Sequence, residues 1–144
     1  QDARLRACLV MDMHMPADLV RAGLRQPTMW ISRDAQTMRQ EGWPQTYIDQ
    51  VQTSMRAVYE KLPGDGYLVL VPGMYHADFS DARLMSPLTS LVGLAGPIDG
   101  ERAHDILRSY ILAFFDRHVR GEPAPLLDGP SPEYPEVRFE SRRS

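Results

Sequence analysis

The stretch Tyr67-Leu68-Val69-Leu70-Val71-Pro72-Gly73-Met74-Tyr75-His76 decides the reading of the chain. An apolar run enters a Pro-Gly turn, and a histidine follows shortly after it. A continuous apolar run bounded by turn residues is the pattern of a strand covered on both faces of a parallel sheet. Open parallel sheets keep their chemistry outside the carboxyl ends of the strands. His76 is therefore a candidate general base.

Two further strands are predicted upstream. Ala7-Cys8-Leu9-Val10-Met11 is continuously apolar and ends at Asp12; Thr28-Met29-Trp30-Ile31 is entered through Pro27 and left through Ser32-Arg33-Asp34. Between the strands the period lengthens. Leu19, Val20 and Leu24 share one helical face in the segment from Pro16 to Arg25, where Gly23 weakens the pattern. Ile48, Val51, Met55, Val58, Tyr59 and Leu62 recur at three- and four-residue steps, which predicts an amphipathic helix from Tyr47 to Leu62, stopped by Pro63-Gly64-Asp65-Gly66. Asp99 is a candidate N-cap for a last helix to about Arg120, with Leu107, Tyr110, Ile111, Phe114, Phe115 and His118 on one side and Gly121 and Pro123 after it. Strands alternating with helices predict an α/β fold with three parallel strands and right-handed crossovers. Residues 122–144 read as a Pro-rich tail in which Val137-Arg138-Phe139-Glu140 fits a short edge strand.

Composition narrows the function classes. The 144 residues suit one domain; a formal charge of −3 carries no basic footprint and argues against nucleic acid as a partner. With 43% apolar and 24% charged residues the chain reads as globular. No apolar run reaches the roughly 18 residues of a transmembrane segment. Cys8 is the single cysteine, so no internal disulfide forms, and its apolar surroundings read as core. The chain begins at Gln1, so its compartment cannot be read from a leader.

Asp12, Asp34 and His76 each follow a predicted strand and fall on one side of the sheet. An Asp beside a His can fix the imidazole tautomer and stabilise the imidazolium of a nucleophilic triad. Asp before His is also the chain order Ser…Asp…His of the α/β-hydrolases. Asp12 and His14 with His76 do not make a zinc pattern, which needs three well-placed ligands. His118 reads as a residue complementing its helix C-terminus, Asp78 and Asp81 as structural, and Trp43 as a lid or packing residue.

From Arg6 to about Gly121 the chain resembles the carboxyl-terminal part of an α/β-hydrolase, and most of all the plasma-type platelet-activating-factor acetylhydrolases and related bacterial esterases. The matching pieces are Leu9-Val10-Met11-Asp12 with Met15-Pro16; Gln26-Pro27-Thr28-Met29-Trp30-Ile31-Ser32; Gly73-Met74-Tyr75-His76-Ala77-Asp78-Phe79-Ser80-Asp81; and Tyr110-Ile111-Leu112-Ala113-Phe114-Phe115-Asp116. The resemblance implies that residues 1–121 hold the sixth to eighth strands of an eight-stranded sheet. It also implies a lipase-like serine esterase cleaving short-acyl esters, phospholipid-like or small, with no metal or organic cofactor. His76 would be the base. Asp12 is the preferred acid and Asp34 its rival; if Asp34 is not the acid, it reads as the N-cap of the turn of residues that follows it. Met13, His14, Met15, Met74, Tyr75 and Phe79, with the apolar segment 84–94, are the candidate substrate-binding residues.

No serine here has a glycine two residues away on both sides, so the G-x-S-x-G elbow is absent. The expectation is an N-terminal half of the same domain, upstream of Gln1, that carries the nucleophile and oxyanion hole; the 144 residues alone are expected to be inactive. The alternatives are a non-catalytic binding module of hydrolase architecture, or a related dienelactone, thioester or peptide hydrolase.

Overall fold

The computed structural model describes residues 2, 4–81 and 93–143. Four strands form one sheet in the order β1-β2-β3-β4: β1 Cys8–Met11, β2 Thr28–Ser32, β3 Gly66–Leu70 and β4 Arg138–Arg142. The first three pair in parallel, with Val10 opposite Trp30 and Trp30 opposite Leu68. The fourth runs antiparallel to β3, with Phe139 opposite Val69. The sheet is thus mixed and four-stranded, where the sequence predicts three parallel strands. β4 has a single apolar residue, Phe139, because one of its edges meets solvent, and charged side chains on an edge discourage further pairing.

Four α-helices flank the sheet: α1 Ala17–Ala22, α2 Ala35–Gln40, α3 Gln45–Glu60 and α4 Gly100–Phe115. The sequence offers Asp34 as a helix N-cap but shows no helical period behind it for α2. Six residues are too few to show a helical period, and α2 is held at its start by Asp34, whose carboxylate accepts the Thr37 N–H at 2.8 Å. Asp99 caps α4 in the same way, accepting the Arg102 N–H at 2.9 Å. After Phe115 the helix widens into a π-type turn, Asp116–Arg120, and ends at Gly121 in the left-handed conformation.

Side chains of β2 and β3 alternate between two cores, as the pleat requires. Met29, Ile31, Tyr67 and Val69 face Ile106, Leu107, Tyr110 and Phe114 of α4. Trp30 and Leu68 face Met55, Val58 and Tyr59 of α3, together with Leu62 and Val10. Met38 of α2 packs with Ile48 and Val51 of α3 in a third cluster. The segment from Glu122 onward does not trail off the fold. Ala124, Leu127, Tyr134 and Val137 belong to the α4-side core, and β4 completes the sheet. At the opposite edge lies β1, whose Met11 is 40% exposed. Among the described residues no helix is long and apolar enough to cross a membrane.

Candidate active site

The parallel ladder runs one residue beyond the ends of β1 and β3. The Asp12 N–H donates to the Ile31 carbonyl at 2.9 Å, and the Val71 N–H to the Ser32 carbonyl at 2.9 Å. The chain then turns away from the sheet at Asp12, where φ is +45°, the one positive φ outside glycine among the described residues. Aspartate tolerates this left-handed region better than most side chains.

The Asp12 carboxylate is buried and receives five donors. On Oδ1 these are the Ser32 hydroxyl at 3.0 Å, the Arg33 backbone N–H at 3.3 Å and Arg33 Nε at 2.9 Å. On Oδ2 they are Arg33 Nη2 at 2.9 Å and His76 Nδ1 at 2.6 Å. Arg33 therefore grips the carboxylate with both arms of its fork. Its own side chain is 1% exposed. Arg33 Nη1 pairs with Glu41 Oε2, and the Trp43 ring lies 5.1 Å from the guanidinium carbon. The other Glu41 oxygen, Oε1, accepts the His76 backbone N–H at 3.0 Å.

His76 reaches this position through the turn after β3. Gly73 takes φ +82°, and the backbone there runs against Gly96 so closely that a Cβ on Gly96 would lie 2.0 Å from the Gly73 carbonyl oxygen. Asp78 accepts N–H groups from Tyr75 at 2.7 Å and Gly96 at 2.8 Å, which ties the two loops together. His76 opens a single turn of 3-10 helix, His76–Phe79. With Nδ1 turned to Asp12, the imidazole keeps Nε2 on the far side of a side chain that is 58% exposed. Its other neighbour is Trp43, edge-on at 6.1 Å and itself stacked on Tyr47 at 4.8 Å.

The structure brings Asp12 to His76 and commits Asp34 elsewhere. Asp34 Oδ1 caps α2 and its Oδ2 pairs with Arg138 at 2.8 Å. Of the candidate substrate contacts, Met74 is corrected: it is fully buried in the α4-side core and has no surface to offer. It follows Gly73 directly, so the same turn that exposes His76 sends its neighbour inward. Met13 is exposed, and half-buried His14 meets the Tyr47 ring edge-on at 6.1 Å. Tyr75 lines a concavity of about 580 Å³ with Glu41, Gly93 and Pro97. Phe79 lines a smaller one of about 200 Å³ with Met11, His104 and Ile111. Residues 84–92 of the apolar segment, Ser86 and Ser90 among them, lie outside the described residues.

Ser32, Ser54 and Ser80 are engaged in hydrogen bonds within the fold. The Ser32 hydroxyl binds Asp12, Ser54 accepts the Met15 N–H at 3.0 Å, and Ser80 donates to the Ala77 carbonyl at 2.8 Å. His118 bonds the Tyr67 hydroxyl at 3.0 Å, and burial lowers its pKa below the ordinary histidine value. Among the described residues no group of three or more His, Cys, Asp or Glu side chains gathers to hold a metal ion.

Arg33 and Glu41 are the site residues that sequence reasoning missed. A basic residue at a strand end between two acids was a usable signal for Arg33. Glu41 carried none, because it is brought in by a helix the sequence does not announce.

No family model matches the chain, and no curated protein does. A solved structure does: a ferulic acid esterase from Streptomyces cinnamoneus, with a TM-score of 0.71 and 30% sequence identity over 96% of this chain. The chain spans 40% of the length of that esterase. The likeness supports an esterase-like hydrolase fold, with helices flanking a mixed sheet.

Proposed function

We propose that these residues are the acid–base part of a serine carboxylic-ester hydrolase, with His76 as base and Asp12 as its orienting acid. The observation that carries this reading is the 2.6 Å contact between Asp12 Oδ2 and His76 Nδ1, made by residues 64 positions apart. A proton held on Nδ1 by a buried carboxylate leaves Nε2 as the basic nitrogen. In the reaction, a serine hydroxyl attacks the ester carbonyl and Nε2 takes its proton. The imidazolium then returns that proton to the leaving alcohol as the acyl-enzyme forms. Water, deprotonated by the same nitrogen, releases the acid and restores the serine.

The nucleophile and the oxyanion donors are proposed to lie upstream of Gln1, so the 144 residues alone should not turn over ester. The resemblance to acetylhydrolases supports short-acyl esters as substrates, and the likeness to a ferulic acid esterase extends the panel to esters of aromatic acids. Tyr75, at the concavity next to the His76 loop, is proposed to meet the substrate.

The test is to read the coding frame upstream, produce the longer protein and treat it with a serine-directed fluorophosphonate. Labelling of one serine within G-x-S-x-G, together with hydrolysis of p-nitrophenyl acetate or an aryl-acid methyl ester, is the expected outcome. A disrupted elbow and no labelling would overturn the proposal in favour of a non-catalytic module. Thioester and peptide substrates in the same panel separate the related hydrolases.

A further inference from the structure

We propose that Arg33 and Glu41 are positioning residues that clamp the base to its acid. Four groups form a closed ring. Asp12 binds Arg33 through two nitrogens, each at 2.9 Å; Arg33 binds Glu41; Glu41 binds the His76 backbone N–H at 3.0 Å; and the His76 side chain returns to Asp12 at 2.6 Å. One carboxylate thereby orients the imidazole, while the other holds the backbone from which it hangs. The guanidinium joins the two.

Geometry is what this arrangement adds. Burying a guanidinium stabilises a fold little on balance, because desolvation offsets most of the attraction to its partners. Its planar fork, however, fixes a carboxylate in two directions at once, which a single point charge does not. Asp12 needs that restraint, since it stands on a backbone turned to φ +45° just after β1. Two carboxylates against one guanidinium also leave the ring with surplus negative charge facing the imidazole. Trp43 covers the guanidinium at 5.1 Å and keeps water from competing for the fork.

The assignment rests on the reading of His76 as a general base, and its test avoids activity altogether. The longer protein is labelled with 15N-histidine and the tautomer of neutral His76 is read from long-range 1H–15N spectra. In the unsubstituted protein the proton is expected on Nδ1, facing Asp12. Arg33→Lys keeps the charge and removes the fork. It is expected to move the ratio of Nδ1–H to Nε2–H by about tenfold toward Nε2–H, the share that a charge-assisted hydrogen bond contributes. Glu41→Gln, isosteric and at a side chain in contact with solvent, is expected to move it about threefold in the same direction. The His118 resonances, from the π-type turn after α4, report that each variant is folded. An unchanged His76 ratio in folded Glu41→Gln overturns the clamp even where Arg33→Lys does not fold. The two readings fail separately. An inactive longer protein with the expected tautomer shifts would count against the esterase alone, and unshifted tautomers in an active one against the clamp alone.

Discussion

Asp34 is paired with Arg138 of β4 at 2.8 Å, while its second oxygen caps α2. This aspartate lies two residues past β2, the middle strand of the parallel part of the sheet, yet both of its oxygens are committed to structure. Asp34→Ala is therefore expected to cost about 1 kcal/mol of stability, the usual value of a lost N-cap. The ion pair adds little, because the Arg138 side chain is 62% exposed. Urea denaturation of the two chains measures the difference. The His76 tautomer should stay as it is; a change there would make Asp34 part of the site after all.

Asp12→Asn in the longer protein is expected to lower kcat by about ten-thousand-fold, since an amide cannot hold the imidazole in the base-competent tautomer. Asp12→Ala has a further consequence that Asn softens. It leaves the buried Arg33 facing Glu41 only, and removing one partner of a buried pair costs about 3 kcal/mol or more. Kinetics on the first variant and thermal unfolding on the second separate the catalytic loss from the structural one.

His76→Ala should abolish ester hydrolysis in the longer protein and leave it folded. Asp12 loses one hydrogen bond, worth about 1 kcal/mol, and keeps its four other donors. Ester turnover retained by a folded His76→Ala protein would remove His76 from the mechanism.

Residues 122–144 are predicted to be indispensable to folding. Deleting them strips Leu127, Tyr134 and Val137 from the α4-side core and leaves the β3 edge unpaired. Each of the buried apolar side chains contributes about 2 kcal/mol or more, so the sum exceeds the margin of most domains of this size. A chain ending at Gly121 should show no cooperative melting transition by circular dichroism.

Acidification should destabilise the chain partly through His118. Burial lowers its pKa in the fold, so the folded state disfavours the imidazolium. Its contribution is fully present above the unfolded histidine value and is lost as pH falls through that value towards the lowered folded one. His118→Gln keeps a partner for the Tyr67 hydroxyl and removes the titration. The fall in unfolding free energy between neutral and mildly acidic pH should be shallower in the variant, as measured by urea titrations at each pH.

Local pattern carried much of this fold. Apolar runs within Cys8–Met11, Thr28–Ser32 and Gly66–Leu70 are legible because buried strand positions admit few polar residues. The amphipathic period of α3 and the capping of α4 by Asp99 are legible for similarly local reasons. Helix α2 was not, being shorter than the period that would reveal it. Met74 shows the same boundary from the other side. An apolar residue beside a candidate histidine reads equally as pocket or core, and only its neighbours across the fold distinguish the two.

By itself the sequence determined the α/β alternation, the strand ends at Asp12 and His76, and the absence of a G-x-S-x-G serine from these 144 residues. These are properties of short stretches, set by apolar periodicity and turn chemistry. The tertiary structure alone decided which aspartate meets His76, that a fully buried Arg33 and Glu41 close a ring around the pair, and that β4 and its approach complete the core. Such contacts join residues tens of positions apart through a strand register and a helix cap, and no local pattern encodes the distance between them.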